Sequence, residues 1–161
     1  MHPVSDPGSL TAALNAANSG DTILLLRNVE YNMGIVIEGK YISFDLNGCT
    51  LNVTNASDMG LEVGSGGEVG LTGEGAFNVA GSNYGVYAHD GGTATVNNAN
   101  ASVTGGTGVY VKNGGVVTID GAISAVPTIS LAFLWTAVIW KLQNSQAYLW
   151  RFKKYHHQLQ P

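Results

Sequence analysis

Gly85-Val86-Tyr87-Ala88, followed after His89-Asp90 by Gly91-Gly92, is the stretch on which the fold of this chain turns. It has echoes on both sides. Gly60-Leu61-Glu62-Val63 leads to Gly66-Gly67, and Gly108-Val109-Tyr110-Val111 leads to Gly114-Gly115. A more diverged copy, Gly34-Ile35-Val36-Ile37, leads to Gly39. The leading glycines at 34, 60, 85 and 108 lie 26, 25 and 23 residues apart. A repeat of that length, built of short apolar segments punctuated by glycine, cannot bury an apolar face by itself. Copies must stack, each forming one coil of a solenoid.

Each repeat holds three short segments in which apolar and polar residues alternate, the pattern of a strand with one buried face. In the first, Ile35/Leu61/Val86/Val109 and Ile37/Val63/Ala88/Val111 stack inward, leaving Val36/Glu62/Tyr87/Tyr110 outside. In the second, Phe44/Val69/Ala94/Val117 and Leu46/Leu71/Val96/Ile119 point in, with Asp45/Gly70/Thr95/Thr118 out. In the third, Leu51/Phe77/Ala101/Ile123 and Val53/Val79/Val103/Ala125 point in, with Asn52/Asn78/Ser102/Ser124 out. These inward columns predict one continuous core. The corners after the second segment, Asn47-Gly48, Thr72-Gly73, Asn97-Asn98 and Asp120-Gly121, place second a residue type that accepts positive φ.

Residues 9–20 read as a capping helix, with Ser9 as N-cap, Leu10, Ala13, Leu14 and Ala17 at helical spacing, and Gly20 as the left-handed terminator. A helix this short needs an apolar support, and the open end of a solenoid supplies one. The organisation is therefore a leader at 1–8, the helix at 9–20, coils at 21–126 and an atypical tail at 127–161. The tail lacks Gly, Asp and Glu but holds Trp135, Trp140 and Trp150. It reads as a C-terminal cap, as sequence foreign to the solenoid, or as an interfacial membrane helix. Of these, membrane contact is not expected, because the apolar run from Thr128 to Trp140 is shorter than the roughly 20 residues a span needs. Either of the first two readings makes the chain the N-terminal piece of a longer β-helix.

Three strands per coil at this spacing resembles the right-handed parallel β-helix of the pectate-lyase-like superfamily. The opening from Leu10 through Gly20-Asp21-Thr22-Ile23, with Asp45-Leu46-Asn47-Gly48, looks like the cap and first coil of β-helical modules in large bacterial surface proteins. The likeness covers residues 9–125. It implies an all-β fold and an extracellular or cell-surface setting, and it specifies no reaction.

Charge sets further bounds. Residues 1–121 carry all the acids and only Arg27, Lys40 and Lys112 as fixed cations, a balance of −8, so nucleic acid is not an expected partner. Cys49 stands alone, which excludes an intrachain disulfide. Met1-His2-Pro3 has no basic or apolar leader character, so an exported protein would carry its signal outside this chain.

Pectate-lyase-like enzymes hold Ca²⁺ on clustered acids or use paired carboxylates. The outward acids Asp45, Glu62, Glu68 and Glu74 are dispersed over the repeat, so the resemblance is expected without catalysis, metal or cofactor. His89-Asp90, where other repeats carry Glu38, Gly64 and Lys112, reads as a solvated turn. Cys49 reads as a small half-buried residue, and His156-His157 as too few ligands for a metal. The candidate binding residues are Glu62, Tyr87 and Tyr110, an outward column suited to a sugar ring or a partner protein, or else a plain stabilising ladder. The expected role is a non-enzymatic structural or adhesive module. The alternative is the front piece of a polysaccharide lyase or hydrolase whose catalytic coils lie elsewhere. Self-association through the C-terminal coil follows if its strand edges are bare.

Overall fold

The computed structural model describes residues 1–102 and 106–121, and the backbone of 123–125 and 132–134. Val103 of the expected third column, and the tail apart from that last segment, lie outside the described residues.

The chain opens with β1 (His2–Val4) and α1 (Pro7–Ala16), then winds through β2 (Asp21–Leu25), β3 (Val29–Tyr31) and β4 (Ile35–Glu38). The second coil is β5 (Tyr41–Asp45), β6 (Thr50–Asn55) and β7 (Leu61–Gly64); the third is β8 (Glu68–Thr72), β9 (Ala76–Gly81) and β10 (Tyr84–Ala88). The fourth is β11 (Thr93–Val96), β12 (Asn98–Ala101) and β13 (Thr107–Lys112), and the fifth β14 (Val116–Ile119), β15 (Ile123–Ala125) and β16 (Ala132–Leu134). Strands stack in three parallel sheets. Sheet I runs β1-β2-β5-β8-β11-β14, sheet II β3-β6-β9-β12-β15, and sheet III β4-β7-β10-β13-β16. The molecule is a parallel β-solenoid of about five turns.

The expected inward residues fill its axis. Leu51, Leu61, Val86 and Val96 are fully buried, and Phe44 and Phe77 meet across it with ring centroids 5.2 Å apart. Burying a side chain of this size contributes roughly 1.5–3 kcal/mol, so the stacked columns supply most of what holds the coils together. Helix α1 closes the N-terminal end with Leu10 and Ala13 buried. It starts earlier than the sequence reading has it. Asp6 is the N-cap, accepting the Ser9 N–H at 2.8 Å, while Ser9 Oγ accepts the Asp6 N–H at 3.1 Å and Pro7 takes the first turn. Ser9 is thus the reciprocal partner in a capping box. The helix ends because Ala17 is extended, and Lys40 Nζ donates to the Leu14 and Ala17 carbonyls at 3.1 Å, a cation at the negative end. Gly20, at φ +90°, serves the turn into β2.

Sheet III has the expected register throughout. Sheet I slips by two residues in its second coil: Ile42 pairs with Val69 and Phe44 with Leu71. A slip of two keeps the same face inward, which is why Phe44 stays buried.

Sheet II departs further. Asn98 pairs with Asn78, Ala99 with Val79 and Ala101 with Gly81, so beside Val79 the fourth coil presents Ala99 where the sequence suggests Val103, a shift of four residues. The corner explains it. Gly73-Glu74-Gly75 link β8 to β9, whereas Asn97 alone links β11 to β12. Asn97 lies beside Phe77, giving its N–H to the Phe77 carbonyl (2.9 Å) and accepting the Phe77 N–H on its own Oδ1 (2.6 Å). Asn98 is therefore a strand residue without positive φ, and the left-handed pair at this type of corner is Asn47-Gly48. The corrected register builds a side-chain ladder outside sheet II. Asn98 Nδ2 donates to Asn78 Oδ1 (2.6 Å), Asn78 Nδ2 to Asn52 Oδ1 (2.8 Å), and Asn52 Nδ2 to the Glu30 carboxylate (2.6 Å).

Candidate functional site

The corner from sheet III into sheet I fixes the site. Asp90 and Gly91 are both left-handed, at φ 49° and 78°, and a side chain on Gly92 would sit 2.1 Å from the Val63 carbonyl oxygen. Only a polar residue followed by two glycines turns this tightly while staying stacked on the coil below. Asn113 occupies the equivalent place one coil on, and its Nδ2 donates to Asp90 Oδ1 at 2.8 Å. His89, the residue before this turn, is thereby held at the rim of sheet III.

On the outer face of that sheet, Val36 pairs with Glu62, Glu62 with Tyr87, and Tyr87 with Tyr110. The structure thus brings Glu62, Tyr87 and Tyr110 together in one column. It adds two rings. Tyr84, at the start of β10, stacks on Tyr110 with centroids 4.9 Å apart and lies 5.7 Å from Tyr87; Tyr87 stacks on Tyr110 at 5.2 Å. His89 stacks on the Tyr87 ring at 4.5 Å. Each ring lies against at least one neighbour, an arrangement that stabilises by about 0.5–1.5 kcal/mol per pair beyond burial.

His89 is a correction to its reading as a solvated turn. Its side chain is only 14 % exposed. Nε2 lies 3.0 Å from Glu62 Oε1 and Nδ1 lies 2.9 Å from Asp90 Oδ2. Both partners are acceptors, so the ring satisfies them only as the doubly protonated imidazolium. The Asp90 hydrogen bond, with Glu62 adding, raises the His89 pKa above its ordinary value. His89 in turn lowers Asp90, with Asn113 helping. Burial raises the Tyr87 phenol, and Tyr110, Glu62 and Asp90 push it further up, so it stays neutral. With both nitrogens engaged, the imidazole has no lone pair to offer a substrate, and the cluster is built to hold rings in place.

The room for it comes from Gly64. A β-carbon there would lie 2.5 Å from His89 Cε1 and 2.6 Å from Nε2. The signal was present in the sequence as a glycine where the neighbouring repeats carry Glu38 and His89, two residues after Glu62.

Two shallow hollows flank Val36 below the rings. One, of about 380 Å³, lies between α1 (Thr11, Leu14, Asn15) and β4 (Ile35, Val36); the other, of about 240 Å³, is lined by Asn55, Asp58, Met59 and Glu62. Cys49 is a half-buried free thiol at the opposite corner, and His156-His157 lie outside the described residues. Among the described residues no three His, Cys, Asp or Glu side chains are grouped to hold a metal ion, and no helix is long and apolar enough to cross a membrane. Comparison with protein-family models, with curated proteins and with solved structures finds no match to this chain.

Proposed function

We propose that this chain is a non-enzymatic module of a secreted or cell-surface protein, of the pectate-lyase-like β-helix type, and that the outer face of sheet III is its contact surface. The observation that carries the reading is the ring stack Tyr84–Tyr110–Tyr87–His89, clamped by Glu62 and Asp90 on a flat parallel sheet. A stack that is fixed before binding loses little side-chain entropy on contact. The three tyrosines are half-buried, so the surface offers phenol oxygens together with the ring area that the stack leaves uncovered. That suits a hydroxyl-rich carbohydrate or a polar protein surface.

Affinity electrophoresis against a panel of soluble neutral and acidic polysaccharides tests this reading. Retarded migration of the intact chain, lost in the Tyr84→Ala/Tyr110→Ala double variant, supports it. Retardation that survives the double variant moves the contact off sheet III, and free migration in every gel removes carbohydrate as the ligand class.

A further inference from the structure

Three sheet edges meet the N-terminal end of the solenoid, and they are finished differently. Sheet I ends in β1, whose Pro3 has no N–H to offer a neighbour. Sheet II ends in β3, which carries the charged Glu30 and lies under α1, tied there by Thr11 Oγ1 to the Tyr31 hydroxyl at 3.1 Å. Proline, charge and a covering helix are the usual devices that stop a sheet from recruiting another strand. Sheet III ends in β4, Ile35-Val36-Ile37-Glu38, whose first three residues carry neither proline nor charge and which faces α1 across a hollow.

The edge is also open in hydrogen-bonding terms. Ile35 gives its N–H to the Gly60 carbonyl at 2.9 Å, so in a parallel ladder Ile35 and Ile37 turn their backbone groups toward β7. The N–H and C=O of Val36 therefore point to the other side, where sheet III has no strand among the described residues. The larger hollow lies along that side, with Leu14 and Ile35 in its wall and Thr11, Asn15 and Lys40 at its rim. Val36 and the nearby Met33 are large apolar side chains left 58 % and 51 % exposed.

We propose that the free edge of β4 is a strand-docking site that takes an extended segment of a partner polypeptide, adding it to sheet III by β-augmentation. Only an extended backbone matches the donor and acceptor of Val36 at strand spacing, and alternate apolar side chains on it would face Leu14 and Ile35. A second copy of the solenoid does not fit. Helix α1, roughly 10 Å across, stands on the core beside this edge and blocks another solenoid from closing to the ~4.8 Å that strand pairing needs. The hollow of about 380 Å³ between α1 and β4 is where a single strand would lie. The site is separate from the tyrosine surface and goes beyond the function proposed for it.

The test uses the full chain and a fluorescein-labelled synthetic peptide copying residues 106–113, a sequence that already forms a strand of sheet III as β13. Fluorescence anisotropy should show saturable binding. Amide exchange by NMR should find the Val36 N–H fast in the free chain, Ile35 and Ile37 slow, and Val36 slowed by the peptide. Val36→Pro removes only the outward N–H from an edge strand, so it should weaken binding by about tenfold or more with unchanged circular dichroism. Val36→Lys, which keeps the N–H, serves as a second variant and should weaken binding by crowding the edge with charge. A peptide N-methylated at alternate residues should not bind. The proposal is overturned by a Val36 amide already protected in the free chain, by no peptide binding, or by equal binding to Val36→Pro and of the methylated peptide. Concentration-dependent dimerisation abolished by Val36→Pro would overturn it too, by making the occupant a second copy.

Discussion

Gly64→Ala tests whether the imidazole clamp holds the ring stack. Gly64 has no positive φ, so alanine meets no backbone strain, and the atoms nearest its β-carbon all belong to His89. The ring must swing away from 2.5–2.6 Å contacts, breaking its 3.0 Å bond to Glu62 and its stack on Tyr87. A hydrogen bond with a charged partner is worth about 1.5–3 kcal/mol and an aromatic pair about 0.5–1.5 kcal/mol. Glu62 is 22 % exposed, which places the first figure at its low end, and alanine gains about 0.5 kcal/mol over glycine in a strand. The net expected loss is about 1.5–2.5 kcal/mol at pH 6. Urea unfolding of the wild type, Gly64→Ala, His89→Ala and the double variant measures it as a double-mutant cycle. In the His89→Ala background the alanine should be neutral or slightly stabilising. An equal cost in both backgrounds would refute the reasoning, because the β-carbon would then be colliding with something other than the imidazole.

The pH dependence of the same clamp follows from its two titrating partners. His89 has a raised folded pKa, so its contribution is complete below about pH 6.5 and fades as pH rises through the folded value; Asp90 has a lowered one, so its contribution is present above about pH 4 and fades as pH falls through the folded value. The melting-temperature gap between wild type and His89→Ala should be widest between those limits and narrow toward pH 9, and a gap equal at pH 5.5 and 9 would contradict this. Asn78→Ala removes the donor to Asn52 and the acceptor for Asn98, and should cost about 1–3 kcal/mol in chemical denaturation, with a loss under 0.5 kcal/mol marking the ladder as ornamental. Asp6→Ala should free the Ser9 amide, which Asp6 caps at 2.8 Å, and speed exchange over the first turn of α1 while the coils stay protected.

How far the sequence reaches can be argued from single residues. Sheet III was legible to the residue because glycine marks each coil on either side of its strand, leaving no freedom of register. Sheet II was not. The segment Asn97-Asn98-Ala99-Asn100-Ala101-Ser102 keeps its alternation under a shift of two or four, so small inward alanines cannot declare which coil position they fill. The one-residue corner at Asn97 decides, and that is a fact of three-dimensional closure. At the candidate site, Glu62, Tyr87 and Tyr110 were visible as a column. His89 was not, because Glu62, which anchors its Nε2, sits in the preceding coil and the glycine that admits it advertises only an absence of side chain. Tyr84 was missed because it enters the stack from the start of β10, outside the alternating triplet.

The asparagine ladder outside sheet II bears on where this solenoid can change its contour length. Asn78 and Asn98 stay bonded at 2.6 Å although the link between their coils' first and second sheets shrinks from Gly73-Glu74-Gly75 to Asn97 alone. Stacking and chain length are uncoupled: the strands and their amides act as fixed rungs, and the corners as adjustable splices. Residues inserted at Gly73-Glu74-Gly75, the longer of these two links, should leave the ring stack and the amide ladder standing, which makes that corner the natural graft point of the scaffold.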